Sequence, residues 1–278
     1  MFIKMNNNPY NRSPKKIVAQ IPVFSKRNNY TDNYKKLDRE QLIQTKKIGE
    51  NPWIKETLWQ EMEKSTLNLA LKYCKSGQVL DVGVGLGRLL TMFPADFKKY
   101  GIDISFDFLK EAQKKNIEVC YGLVEELPYK KEYFDLVICT DVLEHVLDLN
   151  KTIKQILRVL KKGGMLIIRT PYKEDLSPYL DKKYPYQYAH LRNFDEFSLR
   201  LLFEKIFGFK FLESNQTGTV LKGHKYTLPL WFRQFLIKIS PLTSRTSNIL
   251  YRSTINWTQL LTPVYKYGLE INMIFKKT

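Results

Sequence analysis

The run Val79-Leu80-Asp81-Val82-Gly83-Val84-Gly85-Leu86-Gly87-Arg88 constrains this chain more than any other stretch. An apolar segment, Gln78 to Val82, carries a single acid, Asp81, and passes into glycines at alternate positions, Gly83, Gly85 and Gly87. Leu89, Leu90 and Phe93 follow as a helical stretch. The pattern predicts a buried strand, a tight turn and a helix N-terminus. Glycines belong where backbone adopts positive φ or passes close to a ligand. A dinucleotide fingerprint, G-x-G-x-x-G, would set its third glycine at position 88. Arg88 stands there, too large for close helix–strand packing, which argues against NAD.

A second strand is predicted at Tyr100-Gly101-Ile102-Asp103-Ile104-Ser105, ending in an acid sixteen residues after Gly87. A carboxylate accepts two hydrogen bonds, which suits the vicinal diol of a ribose, so Asp103 is the expected ribose ligand and Ser105 the expected cap of the next helix. Two further blocks follow: Val119 to Pro128, containing Gly122-Leu123-Val124-Glu125-Glu126-Leu127-Pro128, and Tyr133 to Val146, containing Phe134-Asp135-Leu136-Val137 and Thr140-Asp141-Val142-Leu143-Glu144-His145.

The glycine turn, Asp103 and these blocks, in this order, resemble class I S-adenosylmethionine-dependent methyltransferases, in particular the small-molecule group that includes the ubiquinone and menaquinone biosynthesis enzymes. The resemblance spans roughly residues 50–214 and the final strand. It implies S-adenosylmethionine as cofactor, held by Asp81, Gly83, Gly85, Gly87, Asp103, Ile104, Leu123, Val124 and Thr140. One departure concerns the adenine: the family's usual acid beside its amino group falls at Leu123. Glu125 or Glu126 could substitute, or the backbone at Leu123 and Val124 could read the base alone.

Further elements are predicted from periodicity. Asn150 to Leu160 has Ile153, Ile156, Leu157 and Leu160 on one helical face, with Asn150 as N-cap and Gly163-Gly164 as stop. Met165 to Arg169 is a buried strand, Asn193 to Phe207 an amphipathic helix, and Leu269 to Phe275 the last strand. The expected fold is α/β: a Rossmann-like, seven-stranded, mostly parallel sheet with helices on both faces, an antiparallel last strand and a basic helical insert before it. Residues 1–49 are expected to form a basic, partly disordered arm with a lead-in helix, and residues 50–278 the methyltransferase domain, with 215–268 as the insert.

Charge is concentrated at the ends. The chain carries +17 in 278 residues, but residues 51–213 hold 25 Lys/Arg against 23 Asp/Glu, whereas 214–278 hold nine against one. The insert combines this charge with Trp231, Phe232, Phe235 and Trp257, and Pro229 to Ile239 would form a helix with one apolar face. That composition suits an anionic membrane surface, or equally a lid packed on the sheet edge. No apolar run reaches the roughly 20 residues of a membrane span, and the Asn- and Lys-rich start lacks a signal-peptide core. Cys74, Cys120 and Cys139 are scattered and suggest neither disulfides nor a zinc site. The expectation is a cytoplasmic enzyme with no metal, able to rest on the inner face of a membrane.

Methyl transfer to a hydroxyl also needs a base. His190, in the Tyr184-Pro185-Tyr186-Gln187-Tyr188 lead-in after the fifth strand, His145 past the fourth strand and Asp141 at its tip are the candidates. Arg192 could bind an anionic acceptor. The expected reaction is O-methylation of a small-molecule, sugar or lipid-linked acceptor. A nucleic-acid (RNA) methyltransferase is the alternative that the charge invites, but the tip Thr140-Asp141-Val142-Leu143 lacks the [DN]-P-P-[YFW] of adenine N6 enzymes, and Cys139 does not follow a proline. A non-catalytic donor-binding scaffold would have no need of the intact Asp81, glycine and Asp103 set.

Overall fold

The computed structural model describes residues 8–48, 54–223 and 264–278. By its contacts the chain divides into two compact units, Met1–Thr217 with Glu270–Thr278, and Gly218–Leu269. In the second unit the described residues are the ends of two strands, β8 (Phe209–Gly223) and β9 (Val264–Lys277). The helix expected at 229–239, with most of the 215–268 insert, lies outside the described residues. The insert is bounded more tightly than expected, since β8 runs to Gly223 and β9 begins at Val264.

The central strands form where β-branched and apolar residues run continuously, as in a sheet buried on both faces. They are β3 (Gly77–Val82), β4 (Phe97–Asp103), β5 (Glu118–Tyr121), β6 (Phe134–Thr140) and β7 (Leu160–Pro171). With β1 (Lys16–Val18) and β2 (Ile21–Val23), the sheet order is β1-β2-β5-β4-β3-β6-β7-β9-β8. Strands β3 to β7 pair in parallel and β9 pairs antiparallel to β7, as expected. The sheet has nine strands rather than seven. The addition is the β1–β2 hairpin, which joins β5 through Val23 and Tyr121. Its turn at Ala19 and Gln20 uses positive φ at both residues, without a glycine to mark it in the sequence.

Helices cover both faces. On one side, α5 (Leu149–Val159) and α6 (Glu196–Arg200), which continues as a π-helical turn Leu201–Ile206, bury Ile153, Ile156, Leu199 and Phe203 against Leu80 and Val137. On the other, α2 (Glu56–Tyr73), α3 (Arg88–Thr91) and α4 (Phe106–Gln113) bury Leu69, Leu90 and Leu109 against Val79 and Ile138. The alternation of Val79 and Leu80 between these clusters is the period-2 rule of a strand. Two local expectations are corrected. Asp148, not Asn150, caps α5, accepting from Lys151 N at 2.8 Å. The α5 helix ends at Val159, so Gly163-Gly164 lies within β7 instead of stopping the helix. Ser105 caps α4 as expected. No described helix is long and apolar enough to cross a membrane.

The N-terminal segment, expected to be a partly disordered arm with a lead-in helix, carries β1 and β2 and then a 20-residue helix, α1 (Asn29–Ile48). Tyr30, Tyr34 and Asp38, one turn apart, are its buried residues of interest.

Where the parallel strands end, Arg169 of β7 is buried and joins three elements. Its Nη2 donates to Asp141 Oδ2 at 2.5 Å, its Nη1 to Thr66 Oγ1 of α2 at 3.3 Å, and its Nε lies 2.6 Å from Glu270 Oε2 of β9 without hydrogen-bond alignment. Removing one member of a buried ion cluster leaves the others uncompensated. Arg169→Met is expected to lower stability by roughly 3–5 kcal/mol in urea denaturation. A loss below about 1 kcal/mol would show that water or proton uptake compensates the two carboxylates instead.

Candidate active site

The glycine turn leaves β3 with φ values of +79°, +50° and +70° at Gly83, Gly85 and Gly87. Two of these glycines are also packing requirements. A Cβ at Gly83 would meet Val142 Cγ2 at 2.3 Å, and one at Gly87 would meet Ile117 Cδ1 at 2.6 Å. At Gly85 nothing lies within 4 Å of that position, so this glycine presents backbone to open space. Arg88, whose size argued against a dinucleotide, is directed onto α2, where it pairs with Glu56 and Glu63 and stacks on Trp59.

Asp103 ends β4 with both oxygens oriented by backbone: Gly85 N donates to Oδ2 at 2.9 Å and Ser105 N to Oδ1 at 2.8 Å. Burial raises its carboxyl above the ordinary aspartate value, and those backbone donors oppose the rise. Asp81 is buried on the α2 side, and its Oδ1 has no hydrogen-bond partner among the described residues. Burial pushes its carboxyl well up, against the pull of Arg169. Ile104 is half-buried beside Asp103. The backbone at Leu123 is less free than expected, because Leu123 N donates to Ser25 Oγ, just past β2, at 3.0 Å. Val124 is buried. Of the two acids offered as substitutes, Glu126 turns outward to Lys151 at 3.6 Å, while Glu125 is half-buried with Oε2 unpartnered among the described residues.

The segment after β6 links this turn to the histidines. Thr140 ends the strand, and Asp141 takes the left-handed conformation, φ +55°, with Oδ2 on Arg169. Val142 packs on Gly83, and His145 follows one turn later. His145 and His190, 45 residues apart in sequence, meet edge to face with ring centroids 4.5 Å apart. His145 Nδ1 contacts Tyr34 Oη of α1 at 2.9 Å. Burial, with His190 beside it, pushes the His145 imidazole down to about 3. His190 Nδ1 bonds Glu174 Oε2, and Tyr179 Oη donates to the other oxygen of Glu174 at 2.7 Å. Although burial opposes it, these donors hold the Glu174 carboxyl below the ordinary glutamate value. An ionised carboxylate only accepts, so Nδ1 of His190 carries the proton and Nε2 is left as an acceptor. Arg192 donates to the carbonyls of Val146 and Leu147.

Sequence reasoning missed Glu174, Tyr34 and Asp38. Glu174 sits in a loop without periodicity. The α1 residues recur at i, i+4 and i+8, which is a legible signal, but the surrounding Asn, Lys and Arg obscured it. Asn33 of α1 also accepts from Gln187 N at 3.0 Å and donates to Tyr188 O at 3.1 Å, which fixes the loop that carries His190.

Residues 80–168 match the family described as "Methyltransferase domain". The chain is 33% identical over 156 residues to the uncharacterized protein MJ1123 of Methanocaldococcus jannaschii, covering 55% of this chain and 75% of that protein. It is 31% identical over 126 residues to the ubiquinone/menaquinone biosynthesis C-methyltransferase UbiE of Vibrio campbellii, covering 41% of this chain and 48% of that enzyme. A crystal structure of a SAM-dependent methyltransferase from Thermotoga maritima shares the fold, with a TM-score of 0.53 at 20% identity over 90% of this chain and all of that one. The chain belongs to the class I S-adenosylmethionine-dependent methyltransferases, and S-adenosylmethionine is its methyl donor. The residues fit that donor: Gly85 leaves backbone open, Asp103 presents two oriented oxygens, and Asp81 holds an unpartnered buried oxygen suited to a cationic group.

Asp38 of α1 is buried, and its carboxyl is raised well above the ordinary 3.8 by burial and by the nearby Asp103. A raised acid favours the fold fully below its unfolded value, and that contribution is lost as pH rises through the folded value. Asp38→Asn is therefore expected to melt higher than the parent at pH 8, with the gap closing as pH falls toward 4. A gap independent of pH would mean that Asp38 does not ionise against Asp103.

Proposed function

We propose that this enzyme methylates an oxygen of a small-molecule, sugar or lipid-linked acceptor, with His190 as the base. The observation that carries this reading is the His190–Glu174–Tyr179 arrangement, one imidazole away from the segment that packs on the glycine turn. S-adenosylmethionine supplies an already activated methyl group. The chain's task is then to position the two reactants and to take the proton that a hydroxyl acceptor releases. His190 Nε2 is free to accept that proton, while Glu174 stabilises the imidazolium that forms, as a carboxylate does in acid–base pairs. Two other candidates are weaker. An imidazole pushed down to about 3, as at His145, is a poor proton acceptor near neutrality. Asp141 is held in an ion pair by the buried Arg169 and is not free to turn to an acceptor.

For the donor we assign Asp103 to the ribose hydroxyls, Asp81 to the cationic amino acid portion, and Gly83, Gly85 and Gly87 to close backbone approach. Ile104, Val124 and Thr140 line the site, and Glu125, in place of the backbone of Leu123, reads the adenine. Asp103→Ala is expected to weaken donor binding at least tenfold, ~1.4 kcal/mol, by calorimetry. Unchanged affinity would remove the ribose assignment.

His190→Ala is expected to leave donor affinity intact and lower turnover by roughly 10²-fold. The assay incubates the protein with methyl-labelled donor and separated lipids, glycans, small metabolites and RNA. Label in RNA, or full turnover without His190, would overturn the proposal.

A further inference from the structure

We infer that Glu144, His145 and His190 form a binding site for a zinc-type divalent ion. One carboxylate oxygen of Glu144 and one ring nitrogen from each histidine lie within 4.8 Å of one another. Tetrahedral zinc bonded at its usual lengths holds such atoms about 3.4 Å apart, so a contraction of at most about 1.4 Å closes the site. Two histidines and one glutamate are a donor set that zinc accepts, with a fourth position left open.

Two independent features support the assignment. The first is Glu144 itself. Its side chain is 1% exposed. Thr170 Oγ1 donates to Oε2 at 3.2 Å, but Oε1 is buried with no hydrogen-bond partner among the described residues. The nearby Arg169 is paired with Asp141 and Glu270, and Glu144 has no ion pair among the described residues. A buried carboxylate is retained when it is paired or coordinates a metal.

The second feature is the outer layer. His190 Nδ1 is bonded to Glu174 and His145 Nδ1 to Tyr34 Oη, so each ring's Nε2 can turn to the ion. A carboxylate behind a ligating histidine fixes its tautomer and raises its basicity. Binding exchanges the His145 hydrogen bond to the Ala189 carbonyl for a metal bond. The loop that carries His190 is fixed by Asn33, so the ligands are brought together before any ion arrives.

The site rests on side-chain placement and not on the identity of the acceptor. An ion bound here occupies the His190 nitrogen assigned above to the acceptor proton, so ion-loaded and base-competent forms exclude each other.

The test titrates chelator-treated, untagged full chain with Co²⁺, whose visible absorption reports coordination, and then competes it with Zn²⁺. One Co²⁺ per chain with the intense absorption of a four-coordinate site, displaced by Zn²⁺, is expected. His190→Ala should weaken binding more than tenfold, and Glu174→Gln by about 10–100-fold through loss of the outer layer. Glu144→Gln should abolish the band. Should that buried substitution fail to fold by circular dichroism, the half-buried His190 and Glu174 variants still decide. Absence of the band in the parent, or unchanged affinity in His190→Ala, overturns the site. Absorption does not depend on methyl transfer. Methyl transfer is assayed on the metal-free chain: if that chain transfers no label yet binds Co²⁺ on titration, the site stands and the O-methylation reading falls, and the converse result does the opposite.

Discussion

Arg169 is the interaction on which the rest of the site depends. Its guanidinium reaches Asp141 after β6, Glu270 on β9 and Thr66 on α2, and its charge pulls against the burial that raises Asp81. A buried cation with several acceptors compensates its desolvation only when the geometry is closed. Arginine meets that condition better than lysine, because its planar fork addresses several acceptors at once. Its partner Asp141 takes the left-handed conformation, the next residue, Val142, packs on Gly83, and His145 follows one turn on. The glycine turn and the imidazoles are therefore joined by a short segment that one charged group holds.

The α1 helix supplies the second constraint. Tyr34 reaches His145, Asn33 holds the loop before His190, and Asp38 lies near Asp103. A segment outside the central sheet thus reaches both the Asp103 end of β4 and the two imidazoles. Loops positioned by a rigid scaffold commonly carry function, and here the scaffold includes this N-terminal helix as well as the parallel strands.

The sequence alone determined the central architecture. Alternate glycines after Asp81, an acid at position 103 and the blocks through His145 encode local requirements: positive φ, close backbone approach and buried strands. Such requirements depend on neighbours within a few residues, so spacing reveals them. The parallel pairing followed from the alternation of strands and helices, and the antiparallel last strand from the family resemblance. Only the tertiary structure decided which side chains meet. The edge-to-face contact of His145 with His190, the support of Glu174, the burial of Glu144 and the threefold contact of Arg169 all join residues distant in sequence. The β1–β2 hairpin, too, stayed hidden, because its turn is made by Ala19 and Gln20 rather than by glycine. Periodicity reports which face of an element is buried. It carries no information about which buried face lies opposite, and the chemistry of this site is set by those facing pairs.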